Sequence, residues 1–183
     1  MPQEIERQYV VNTEHIDWET VKAGLPVKKY VQATIHRGDG NKLRVRLIED
    51  PVTGKKSAAF TFKVEIKWRK DGPNIRDEYE WEVPYRVALY IMIGHKEVIK
   101  MRYSYRHIDG KIWEFDEYQE ENLGIVLADI ELKDEDEKFE LPAWIGQETT
   151  KLKKITNNSF SDHPFLHWSS EEKEWYETLK KRK

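Results

Sequence analysis

Arg76-Asp77-Glu78-Tyr79-Glu80-Trp81-Glu82-Val83 changes character at every step. In an extended strand residues i, i+2 and i+4 share a face, so Arg76, Glu78 and Glu80 fall on one side and Tyr79, Trp81 and Val83 on the other. The same alternation recurs along the chain. Glu4 and Glu6 share a face with Gln8, Arg44 and Arg46 oppose Leu43, Val45 and Leu47, and Lys63 shares a face with Glu65 and Lys67. Lys100 and Arg102 oppose Ile99, Met101 and Tyr103, and Asp129 and Glu131 oppose Ala128, Ile130 and Leu132.

Spacing alone leaves two readings open: ordinary amphipathic strands with a wet charged side, or a charged face turned into a cavity. Composition of the faces separates them. A solvated face mixes Thr, Ser, Gln and Lys, whereas these are almost purely ionic, and acids and bases largely sit on different strands. Converging carboxylates suit a hard divalent cation, and Arg and Lys suit phosphate oxygens. The acids Glu4, Glu6, Glu78, Glu80, Asp116, Asp129 and Glu131 nearly balance the bases Arg44, Arg46, Lys63, Arg76, Lys100 and Arg102. Lining a barrel with such groups is tolerable when opposite charges, metal, water and ligand offset the desolvation.

The rest of the chain frames this cavity. Turn signals at Gly38-Asp39-Gly40, Asp50–Gly54, Asp71–Asn74 and Asp109-Gly110 separate strand candidates at Glu4–Asn12, Tyr30–His36, Lys42–Glu49, Ala58–Trp68, Asp77–Val83, Glu97–Tyr105, Lys111–Glu117 and Ile125–Lys133. Asp17–Gly24 reads as a short helix with Thr13 as its cap, and Tyr85–Ile93 as a helix with Pro84 as its first residue. The run Tyr90–Ile93 reads as a core face, Trp18, Trp68, Trp81, Trp144 and Trp175 as packing residues, and residues 134–168 as irregular. Ser169 with Glu172 forms a capping box for a last helix at about 169–182. About eight strands with few helices suggest a mainly β (α+β) fold, an antiparallel barrel or a strongly curved sheet with peripheral helices, in one domain over residues 1–183.

Composition narrows the function. A net charge of −3 from 34 acids and 31 bases argues against a bulk nucleic-acid or membrane-surface binder. The absence of cysteine excludes thiolate chemistry and disulfides. No apolar run approaches the roughly 20 residues of a membrane helix, and a cytoplasmic location is expected. The six histidines show no tight ligand spacing, and no phosphate-binding glycine loop is present.

These residues also carry a family resemblance. Glu4-Ile5-Glu6-Arg7-Gln8 resembles the N-terminal ExExK signature of the CYTH proteins, or triphosphate tunnel metalloenzymes. Arg44-Val45-Arg46, Lys63, Arg76–Glu80, Lys100–Tyr103, Trp113–Asp116 and Leu127–Leu132 follow in the family's order, and Leu141–Thr150 is similar to its P-x-W-x-G-x-E-V-T signature. The resemblance implies an eight-stranded antiparallel closed β-barrel, and hydrolysis of inorganic triphosphate or a related small triphosphate with Mg²⁺ or Mn²⁺. It implies that Glu4, Glu6, Asp129 and Glu131 hold metal or orient water, with Asp116, Glu78 and Glu80 completing the acidic set. Arg44, Arg46, Lys63, Arg76, Lys100 and Arg102 would then bind phosphates. Apart from the resemblance, the sequence leaves a homodimer open.

Two positions depart from the pattern: Gln8 stands where the motif has Lys, and Asp129 where Glu is usual. A lost charged hydrogen bond costs about 1.5–3 kcal/mol, so a binding module with weakened hydrolysis is an alternative, as is an adenylate cyclase.

Overall fold

The computed structural model describes residues 3–38, 41–67 and 73–182, apart from the side chains of His15 and residues 65–67. The strands are β1 (Gln3–Val11), β2 (Val27–Gly38), β3 (Asn41–Glu49), β4 (Lys56–Lys67), β5 (Asn74–Val83), β6 (Glu97–Arg106), β7 (Ile112–Tyr118), β8 (Val126–Glu131) and β9 (Ile145–Glu148). The helices are α1 (Trp18–Lys22), α2 (Tyr85–Met92), α3 (Asn157–Asp162) and α4 (Ser170–Lys180). Eight strands close an antiparallel barrel in the order β5-β4-β3-β2-β6-β7-β8-β1, and β9 adds to β1 where β5 leaves it. The closing seam is short, running from Gln3↔Asp77 to Glu6↔Asn74.

The apolar face of the alternating strands turns outward and is covered. Ile5, Tyr9, Trp113, Phe115, Ala128 and Ile130 pack with Trp18 of α1, with Ile145 and with the flanking Trp144 and Phe139. Ala33, Val45, Leu47 and Ala58 pack beneath Ala88 and Met92 of α2. A third cluster stoppers one end of the barrel. Val10, Val98, Tyr118 and Leu127 lie in the inward register, and they meet Ile155, Phe160, Trp168, Tyr176 and Leu179 from the C-terminal segment.

Local chemistry accounts for the punctuation. Asp50 Oδ1 accepts the backbone N–H of Val52 and Thr53, tightening the β3–β4 turn, and Gly54 completes it at φ +71°. The capping box at Ser169 and Glu172 is present on α4.

Several expectations are corrected. Residues 134–168 are not irregular throughout: they contain β9, α3 and a 3-10 turn at Phe165–His167. β9 has four residues and α3 six, too short for a periodic signal, and both are stabilised by contacts made elsewhere in the chain. Asp17, not Thr13, caps α1 through its bond from Thr20 N–H, while Thr13 lies in a 3-10 turn capped by Asn12. Pro84 is the N-cap of α2 rather than its first helical residue. Of the run Tyr90–Ile93, Met92 is buried and Ile91 packs against the core, whereas Tyr90 and Ile93 are 71% and 74% exposed; Ala88 completes the core face of α2. Trp81, 53% exposed, is stacked on Tyr79 outside the barrel. The turn residues Asp39, Gly40, Asp71 and Gly72, with Trp68, the side chains of Glu65 and Lys67, and Lys183, lie outside the described residues.

Candidate active site in the barrel interior

Strand register carries the ionic face around the whole barrel. Directly opposed pairs run Glu4↔Arg76, Glu78↔Lys63, Thr61↔Arg44, Arg46↔Gln32, Tyr30↔Lys100, Arg102↔Asp116, Glu114↔Asp129 and Asp129↔Gln8. Directly opposed residues share a face, so the charged positions in these pairs point the same way. Contacts that skip a strand identify that way as inward. Lys63 of β4 reaches Glu4 of β1, Arg44 of β3 reaches Glu78 of β5, and Arg102 of β6 reaches Asp129 of β8.

The interior separates into two clusters. In the first, Lys63 Nζ lies 2.8 Å from Glu4 Oε2 and 2.5 Å from Glu78 Oε2. Arg44 donates to Thr61 Oγ1 at 3.0 Å and lies 3.6 Å from Glu78, while the Thr61 hydroxyl donates to Glu80 at 2.9 Å. Arg76 is 3.9 Å from Glu6. Burial and the nearby charge of Arg46 push the Arg44 guanidinium down to about 9, which leaves it protonated at neutral pH.

In the second cluster the buried Lys100 bonds Asp116, and Arg102 clamps both oxygens of Asp116 at 2.6 Å. Arg102 also donates to Glu114 and, at 3.0 Å, to Asp129. Burial pulls Lys100 down to about 8 against the attraction of Asp116. Burial alone would raise Asp116, yet Arg102 and Lys100 hold it below the usual carboxylate range. Asp129 behaves oppositely: burial, then Glu6 and Asp116, raise it well above that range. Gln8 is fixed here, its Nε2 donating to Asp129 at 3.1 Å and its Oε1 accepting from Thr149 at 3.2 Å.

The donors suit a divalent cation in kind. Glu131, an exposed residue at the end of β8 opposite Glu6, has its carboxyl raised by desolvation and by Glu4, Glu114, Glu6 and Glu78. Those carboxylates repel one another, and a bound cation would relieve the repulsion. Among the described residues no three His, Asp or Glu side chains already converge as a cage, because Lys63 stands between Glu4 and Glu78. The basic side is suited to an anion in a second respect: the buried Nε–H groups of Arg44 and Arg46 have no hydrogen-bond partner. A cavity of about 580 Å³ lies at the end away from the C-terminal stopper, bordered by Lys28, Tyr30, Arg102 and Glu114 and by Leu25 and Val52 of two loops.

Sequence reasoning missed several inward residues, charged and uncharged. Tyr30, Gln32, Thr61, Lys28 and Glu114 share the interior register. The period-two rule would have reached Lys28, Tyr30 and Gln32 on β2, but a search for ionic pairs passes over a strand of mixed character.

Comparison with known proteins agrees with this geometry. The chain is 32% identical over 171 residues to the inorganic triphosphatase of Acetivibrio thermocellus, covering 92% of this chain and 99% of that protein. The solved inorganic triphosphatase NE1496 superimposes with a TM-score of 0.55 at 24% identity, over 88% of this chain and 95% of that one. The PH1819 protein from Pyrococcus horikoshii OT3 shares the fold at a TM-score of 0.50 and 21% identity, over 73% of this chain and 80% of its own. No family model matches. With a relative this similar over nearly its whole length, and with an inward ring of acids and bases in a closed antiparallel barrel, the chain belongs to the triphosphate tunnel metalloenzyme (CYTH) family.

Proposed function

We propose that this protein hydrolyses inorganic triphosphate, or a closely related small triphosphate, inside its barrel with the help of Mg²⁺ or Mn²⁺. The observation that carries the reading is the juxtaposition of two arginines whose buried Nε–H donors are orphaned with a group of mutually repelling carboxylates in one interior. Arg44, Arg46, Lys63, Arg76, Lys100 and Arg102 grip the phosphate oxygens. Asp116 keeps Lys100 and Arg102 extended and charged, so it serves as their counter-ion. Glu4, Glu6 and Glu131, with Glu78 and Glu80 beside them, hold the cation and orient the attacking water.

When bound, the metal neutralises charge on the transferring phosphoryl group and lowers the cost of generating the attacking oxygen. The chain's own contribution is positioning and charge. The rigid strands hold the bases around the substrate, and the stoppered end keeps bulk water from that side of the site. Triphosphate can take the place of a carboxylate on Lys63, freeing Glu4 and Glu78 for the cation. No helix among the described residues is long and apolar enough to cross a membrane.

The test is phosphate release from inorganic triphosphate across a range of Mg²⁺ and Mn²⁺ concentrations. Glu4→Ala and Arg46→Ala are expected to lose most of the activity. No release at any metal concentration, with both variants indistinguishable from the parent in triphosphate binding, would overturn the reading. A second reading, capture without turnover, is favoured by one observation: the Gln8 amide is neutral and already engaged by Asp129 and Thr149. It predicts metal-dependent binding with no phosphate release.

A further inference from the structure

Arg46 differs from the five other bases assigned to the phosphate, Arg44, Lys63, Arg76, Lys100 and Arg102. It is 8% exposed, its Nε–H has no partner, and its one hydrogen bond is a long 3.5 Å contact to the Gln32 side chain. Lys63, Arg44, Arg76, Lys100 and Arg102 each have a carboxylate within ion-pair distance, whereas Arg46 has none among the described residues. A buried guanidinium without a counter-ion is costly unless something else stabilises its charge.

The ring of Tyr30 does so. It is itself buried, and the Arg46 guanidinium carbon lies 4.4 Å from the ring centroid. Arg102 approaches the same ring at 5.5 Å, from the strand on the other side of β2. The π face attracts a cation without neutralising it, which a carboxylate would do. No hydrogen bond involves the Tyr30 hydroxyl among the described contacts, so the ring is the working part.

We propose that Tyr30 is a positioning residue. Its ring holds Arg46 oriented and uncommitted to any acid, so that this arginine is free to receive a triphosphate. The inference rests on the hydrolysis reading above for its substrate, and adds a residue that acts on the substrate mainly through Arg46, the nearer of the two guanidiniums on its ring.

The test compares Tyr30→Leu, Tyr30→Phe and Arg46→Met, singly and combined, by steady-state hydrolysis of inorganic triphosphate with saturating Mg²⁺. Tyr30→Leu is expected to raise KM about tenfold with kcat within about twofold, in keeping with a desolvated cation–π contact. Tyr30→Phe restores most of the loss because it retains the ring. In the Arg46→Met background, Tyr30→Leu adds less than about twofold. Equal loss in Phe and Leu, or an undiminished Leu effect without Arg46, overturns the proposal. A measurement independent of turnover guards against misfolding of the Leu variant. In the unliganded parent, the Arg46 Nε–Hε proton resonance, assigned by its disappearance in Arg46→Lys, should be shifted upfield by the ring and stay so in Tyr30→Phe. An unshifted resonance also overturns it. Should the parent release no phosphate, hydrolysis fails as a reading. The same comparisons are then made by calorimetric binding of triphosphate, and a parent that does not bind it overturns both.

Discussion

Replacing Gly146 by alanine tests how the barrel end is stoppered. A Cβ at Gly146 would lie 2.5 Å from the Leu179 carbonyl oxygen, 2.9 Å from that of Lys180 and 3.1 Å from the Lys180 carbonyl carbon. All three are backbone atoms at the end of α4, so no side chain can rotate away. The glycine is required by close approach, since its φ is not in the left-handed region. Ordinary contact requires the helix end to retreat by just under about 1 Å, and forced displacement of this kind costs about 1–3 kcal/mol. The retreat also strains the bonds from Gln147 Nε2 to the carbonyls of Thr178 and Lys181, at 2.9 and 3.0 Å, for about 1 kcal/mol more. It pulls Leu179 and Tyr176 from the cluster that meets Val10 and Tyr118. The sum is about 2–4 kcal/mol, or a fall in Tm of about 5–12 °C for a chain of this size. Thermal unfolding followed by circular dichroism reads it, with Gln147→Ala measuring the hydrogen-bond share. A Gly146→Ala protein melting within about 2 °C of the parent would refute the argument that this contact seats the C-terminal helix.

The interior makes further predictions. Gln8→Lys places a cation beside Asp129, and should raise kcat/KM for triphosphate about ten- to a hundredfold, the range of a charged hydrogen bond; unchanged or lower kcat/KM in phosphate-release assays would show that the amide is no handicap. Lys100 loses its proton as pH rises through about 8, because burial disfavours its charged form, so KM should climb above that pH. Lys100→Arg should flatten the climb, and a pH profile identical to the parent's would exclude Lys100 as its source. Glu131→Gln removes one of the repelling carboxylates, and the half-saturating Mg²⁺ concentration should rise about tenfold with KM at saturating metal little changed. Chelation with EDTA should abolish turnover in the parent, and activity surviving exhaustive chelation would count against a metal-assisted reaction.

The site was more legible than its internal wiring. Period-two spacing placed Arg76, Glu78 and Glu80 on one face, and Glu4 with Glu6 on another, because pleating leaves a strand residue no other choice. It was silent on which acid meets which base. Lys63 lies between Glu4 and Glu78 because β5 stands between β4 and β1 in the closed barrel, a fact of strand order. The search for ionic pairs also passed over β2, where Tyr30 is the inward residue opposite Lys100. The short β9 and α3 and the outward Tyr90 were misread for a related reason. Four to eight residues carry too weak a local signal to outweigh the tertiary surroundings.

The ionic alternation of Arg76–Val83 and its counterparts therefore established, from composition and pleat, that several strands share a charged face and that the chain belongs with proteins that use one. Only closure of the barrel turned that face inward and separated the roles. It committed Asp116 to Lys100 and Arg102, and stoppered one end with Tyr176 and Leu179. It also left Arg46 against a tyrosine ring instead of a carboxylate. The physical reason is that a side chain's face is set by its own backbone, whereas its partner and its burial are set by strands distant in sequence that meet only in the folded chain.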